Sequence, residues 1–116
     1  MKKALFLMTL MVSVSVFSQK PEPTFENEGK LLKATYFHDN GEVSQTGYFL
    51  NGKLHGDWVM FDAGGTKIAT GTYENGIKTG KWFFWKMDNL SEVDYAANRI
   101  VQVKEWNKTG LVSTQN

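Results

Sequence analysis

The 116-residue sequence predicts an all-β protein: an antiparallel β-meander of hairpin repeats forming a single elongated, twisted sheet, preceded by a signal peptide. Three observations predict it. One pattern is written twice at a spacing of 24 residues, kept by Gly47 and Gly71, Gly52 and Gly76, Gly56 and Gly80, and Trp58 and Trp82, as well as by Phe37, Phe61 and Trp85 in series. A fixed period carried by glycines and aromatics together is the mark of a repeat architecture. Asn-Gly stands at 51–52 and again at 75–76, and a type I′ hairpin turn needs positive φ at both of its central residues, which Asn and Gly tolerate. Between the turns lie short runs of aromatic and β-branched residues, the side chains that suit a pleated surface.

Met1-Lys2-Lys3 is a basic start and Ala4 to Phe17 is mostly apolar, with Ser18 before Gln19. That order is a secretory signal peptide over 1–18. Its apolar core is shorter than the roughly 20 residues of a comfortable membrane span; an uncleaved N-terminal anchor is the alternative. Residues 19–30 hold both prolines, Pro21 and Pro23, among charged side chains, and are expected as an extended leader. Residues 31–110 are expected as the repeat domain. Leu31 to Phe37 is its first strand, His38 to Gly41 its turn, and Glu42 to Leu50 the return. Asp57 to Asp62 is an aromatic strand, Ala63 to Thr66 a glycine turn, and Lys67 to Tyr73 the return strand. Leu54-His55-Gly56 reads as a turn between hairpins. After Trp85 the period loosens: Asn89 stands at the turn position, Ser91 to Ala96 is a strand, Ala97 to Arg99 a weaker turn, and Ile100 to Trp106 a cleanly alternating strand. Residues 111–116 are a polar tail or a final half-strand.

Strand alternation separates two faces. Trp58 and Met60 share one with Trp82 and Phe84; Val59 and Phe61 share the other with Phe83 and Trp85. Gly47 and Gly71 stand inside strands, where glycine is a cost. The reason offered is room: Trp58 and Trp82 can each lie over a backbone that lacks a side chain. Gly47, Gly52, Gly56, Trp58, Gly71, Gly76, Gly80 and Trp82 are therefore the structural repeat residues.

The composition excludes several chemistries. With no cysteine there is no disulfide, thiol nucleophile or thiolate zinc site. Removing residues 1–18 lowers the positive residues from 13 to 11 against 12 acidic ones, a balance that draws neither nucleic acid nor anionic membrane. His38 and His55 have no partner at metal spacing. Glu92 and Asp94 share a strand face and could in principle serve hydrolysis or calcium; a solvated face is the plainer reading. No catalytic residue, metal or cofactor is expected, and the protein is not expected to be an enzyme. The aromatic face of Phe61, Tyr73, Phe83 and Trp85 is the expected binding surface.

Gly-Lys-Leu-His-Gly-Asp-Trp-Val-Met-Phe from Gly52 to Phe61, followed by Gly-Thr-Tyr-Glu-Asn-Gly-Ile-Lys-Thr-Gly-Lys-Trp from Gly71 to Trp82, resembles the variant MORN repeat of the small bacterial proteins grouped as YwqK-family antitoxins. The resemblance implies a meander of hairpins and a role in protein or lipid contact. The expected function is thus an exported binding module that takes a protein partner at the cell envelope. The alternatives are an antitoxin or immunity protein for a cognate toxin and, in a different class, a small envelope hydrolase.

Overall fold

A computed structural model describes residues 21–116; the signal-peptide reading of 1–18 lies outside them. Among the described residues there are nine strands and no helix: β1 Thr24–Glu28, β2 Leu31–Phe37, β3 Val43–Leu50, β4 Lys53–Phe61, β5 Lys67–Glu74, β6 Ile77–Lys86, β7 Asn89–Ala96, β8 Arg99–Asn107 and β9 Gly110–Gln115. They pair antiparallel in sequence order in one open sheet. The two Asn-Gly steps close β3–β4 and β5–β6 with φ of 50° at both Asn51 and Asn75 and 79° and 84° at Gly52 and Gly76. Both central residues are left-handed, as a type I′ turn requires.

Four expectations about the elements are corrected. The leader is not separate from the sheet: Thr24–Glu28 pairs with β2, and Phe25 packs edge-on against Tyr36 at 6.3 Å. The tail is more than a half-strand: it forms a full strand, β9, paired with β8. Leu54-His55-Gly56 lies within β4 rather than in a turn, because Asn51-Gly52 alone reverses the chain. The β6–β7 turn is Met87-Asp88, with Met87 at φ 55°, and Asn89 opens β7.

Among the described residues the sheet is a single layer with no second one to bury its side chains, and the repeat solves this within the sheet. The buried side chains Ala34, Trp58, Ala69, Trp82 and Val93 all lie on one face, which we call the packed face. Cross-strand neighbours run Ala34↔Gly47, Trp58↔Gly71 and Trp82↔Val93. The Trp58 indole lies on Gly47 and the Trp82 indole on Gly71. A Cβ added to either glycine would fall inside the ring. The rings are thus buried against backbone, at 4% and 2% exposure.

Gly56 and Gly80 make this possible. Between the pairs Thr46↔Val59 and Tyr48↔His55, β3 has one residue, Gly47, where β4 has three. The same excess recurs between Thr70↔Phe83 and Thr72↔Thr79. The bulges sit at Gly56 and Gly80, with φ of 77° and 68°, a conformation that costs glycine nothing. There the ladder opens and the indoles take backbone acceptors: Trp58 Nε1 donates to the Tyr48 carbonyl and Trp82 Nε1 to the Thr72 carbonyl, both at 3.2 Å. Those acceptors are themselves 24 residues apart, so the period extends to the hydrogen bonds.

Candidate functional site

Aromatic rings form a chain across the packed face. Tyr36 stacks with Trp58 at 6.4 Å, and Phe49 meets Trp58 edge-on at 5.8 Å. Tyr73 stands edge-on to both tryptophans, 6.0 Å from Trp58 and 5.0 Å from Trp82. Tyr95 follows at 6.0 Å from Trp82, and the Lys78 ammonium sits over both of those rings, 5.1 and 5.2 Å from their centroids. Burial, and then the neighbouring Tyr95, push the Tyr73 hydroxyl pKa up. Tyr73 is therefore part of the packing between repeats. It does not share a face with Phe61, Phe83 and Trp85, which corrects the expected four-residue surface.

The opposite face, the open face, carries the other three. Phe83 and Trp85 are stacked at 6.1 Å. A row of cross-strand neighbours runs Thr35↔Thr46↔Val59↔Thr70↔Phe83↔Glu92↔Lys104. One strand end holds Phe37, Phe61, Trp85 and Trp106, on β2, β4, β6 and β8 and all half-buried. Trp106 comes onto this face through the register Trp85↔Leu90↔Trp106. Alternate strands set these rings about 9.5 Å apart, two strand spacings. The same face also dips: an open depression of about 410 Å³ lies beside Phe61 between Lys33, Glu42 and Thr46, and another of about 320 Å³ beside Phe83 and Lys81.

Trp106 was not among the expected site residues. Its signal was present in the sequence: Trp106 precedes Gly110 by the same four residues that separate Phe37 from Gly41 and Phe61 from Gly65. Spacing marked it as a strand-end aromatic, and only the register put it beside Trp85.

No protein-family model matches this chain, and no curated protein matches it.

Several ionisable groups toward the carboxyl-terminal half are engaged with one another or with neighbouring side chains. Lys81 bridges Glu92 and Asp94 at 3.2 and 3.3 Å, and these hydrogen bonds, Glu92 first, raise the lysine pKa. Glu92 also accepts from Trp106 Nε1 at 3.2 Å, and Ser91 donates to Glu105 at 2.7 Å. A carboxylate pair holding an ammonium between its members is an ion-pair site. Asp88 pairs with Lys108 at 3.3 Å, both exposed. Among the described residues no group of three or more His, Asp or Glu side chains could hold a metal ion. The histidines tie neighbouring hairpins together, each linking β4 to a turn: His38 Nε2 donates to the Phe61 carbonyl at 2.8 Å, and His55 Nδ1 accepts from the Asn75 amide at 3.4 Å.

Proposed function

We propose that this chain is an exported, non-enzymatic binding module that takes a protein partner on its open face. One observation chiefly supports it: among residues 21–116, no second layer lies over the aromatic rings on that face. Phe37, Phe61, Trp85 and Trp106 stand on alternate strands at one end of a single-layer sheet. Aromatic side chains that are half-buried yet uncovered are the usual anchors of protein interfaces, and tryptophan leads among interface hot spots. A partner lying across the strands touches one ring per hairpin and can reach the depressions beside Phe61 and Phe83 on the same face. The MORN-type resemblance agrees with a contact role, and the basic-then-apolar start of the chain agrees with export.

The test is affinity capture from an envelope extract of the source cells, using the wild-type protein with Trp85→Ala and Trp106→Ala variants. A specific protein retained by the wild type and lost by both variants is the expected result. The same protein retained equally by all three, or none retained by the wild type, refutes the reading. Amino-terminal sequencing of the protein recovered from expressing cells tests export: Gln19 is the expected first residue, and Met1 at that position refutes cleavage.

A further inference from the structure

The two outer strands of the sheet differ in a way that the meander does not require. Among residues 21–116, β1 and β9 each have a hydrogen-bonded neighbour on one side only. β1 reads Thr-Phe-Glu-Asn-Glu and follows Pro21-Glu22-Pro23. Charge and proline on an outer strand guard it against pairing with another chain. β9 reads Gly-Leu-Val-Ser-Thr-Gln, with neither. A bulge leaves Val112 without a partner on β8; bulges also discourage edge pairing, but this one exposes an aliphatic side chain, 61% accessible, rather than a charge. β9 ends opposite Val103, so the start of β8 is left as a step that carries Ile100 and Val101. With Leu111 and Val112 these make four of the eight large apolar side chains exposed among the described residues, all on one hairpin.

We propose that β9 is a self-association edge, along which two copies of this chain pair antiparallel to make one continuous sheet. Charge selects the second copy as the occupant. Pairing β9 with β9 sets no ionised side chain against another, whereas β1 with β1 brings the Glu26 and Glu28 pairs of two chains together, and like charges across strands destabilise. Closure selects the geometry. A β9-to-β1 contact is head-to-tail and repeats without end, while β9 with β9 is two-fold and closes. The two-fold axis of an antiparallel pair runs normal to the sheet. Both open faces therefore stay on the same side and uncovered, so self-association is independent of partner capture.

The protein as purified from expressing cells is weighed by sedimentation equilibrium over a dilution series. The expected mass is two chains, falling to one on dilution. Val112→Lys and Ser113→Lys, which place lysines across the two-fold from each other, hold it at one chain with an unchanged far-ultraviolet circular dichroism spectrum. Phe25→Lys on the opposite edge leaves the two-chain mass in place, and so does Trp85→Ala, whatever its effect on partner capture. One chain at every wild-type concentration overturns the proposal. So does a two-chain mass that survives both β9 substitutions, a mass that grows beyond two chains, or one abolished by Phe25→Lys. Hydrogen exchange on the wild type needs no variant to fold: the amides of Leu111 to Gln115 are slower to exchange at high concentration than on dilution, and equal rates overturn the proposal.

Discussion

Adding one methyl group to Gly71 separates packing between repeats from every other explanation of the period. The methyl of Gly71→Ala falls inside the Trp82 indole, so the ring must leave. Expelling it gives up about 200 Å² of burial, on the order of 5 kcal/mol at 25 cal/mol per Å². The Trp82–Thr72 hydrogen bond adds about 1 kcal/mol. Two effects reduce this sum. The displaced ring keeps some contacts, and alanine in a strand is favoured over glycine by roughly 0.5–1 kcal/mol. The net loss is then about 3–5 kcal/mol, a large share of the roughly 5–15 kcal/mol that holds a domain together. Urea unfolding followed by tryptophan fluorescence measures it. A double-mutant cycle assigns the cause: once Trp82→Ala has removed the ring, Gly71→Ala should cost under about 0.5 kcal/mol, as surface changes away from special features do. Gly64→Ala, whose added methyl meets only the Asp62 side chain at 3.4 Å, is the control. A loss below about 1 kcal/mol for Gly71→Ala, or the same loss with and without Trp82, refutes the packing argument.

Further outcomes follow from the same geometry. Gly47→Ala should repeat the result through Trp58, and by a similar amount, about 3–5 kcal/mol, since the two sites are copies; an unfolding midpoint equal to wild type counts against it. Ala97 holds φ 51° in the β7–β8 turn, at the position that the β3–β4 and β5–β6 turns give to Asn51 and Asn75, so Ala97→Asn should stabilise by up to about 1 kcal/mol and raise the melting temperature. Tyr73 and Lys81 both have raised folded-state pKa values. Each contributes stability that is fully present below its unfolded pKa, about 10 for both groups, and lost as pH rises through the higher folded value. Alkaline titration of the urea midpoint should therefore fall less steeply in Tyr73→Phe than in wild type; parallel curves exclude a Tyr73 contribution. Trp85→Ala should abolish partner capture while keeping the wild-type dichroism spectrum, because that ring is only half-buried and supports no buried neighbour.

Local chemistry made most of the meander legible. Asn51-Gly52 and Asn75-Gly76 are turns by their own φ preferences, and a strand between two such turns has little choice but to pair back. The glycine-under-tryptophan packing was legible too, because an in-strand glycine that recurs with an aromatic at a fixed spacing needs a steric reason. Met87-Asp88 carries no glycine or asparagine, so its positive φ at Met87 is imposed by the strands on either side. Thr24–Glu28 was equally hard to see: it is charged and exposed along its whole length, and joins the sheet only because β2 offers a free ladder.

By itself the sequence determined the class of fold, the position of the Asn-Gly hairpins, and which strand residues alternate with which, since all three follow from preferences within a few residues. Only the tertiary structure decided that Tyr73 falls on the packed face and Trp106 on the open one, that Gly56 sits in a bulge rather than a turn, and that Lys81 occupies the Glu92–Asp94 pair. Those depend on cross-strand register. A bulge that sets three residues opposite one changes what meets what across the sheet, and its cause, an indole N–H reaching a carbonyl ten residues earlier on the neighbouring strand, has no local signature.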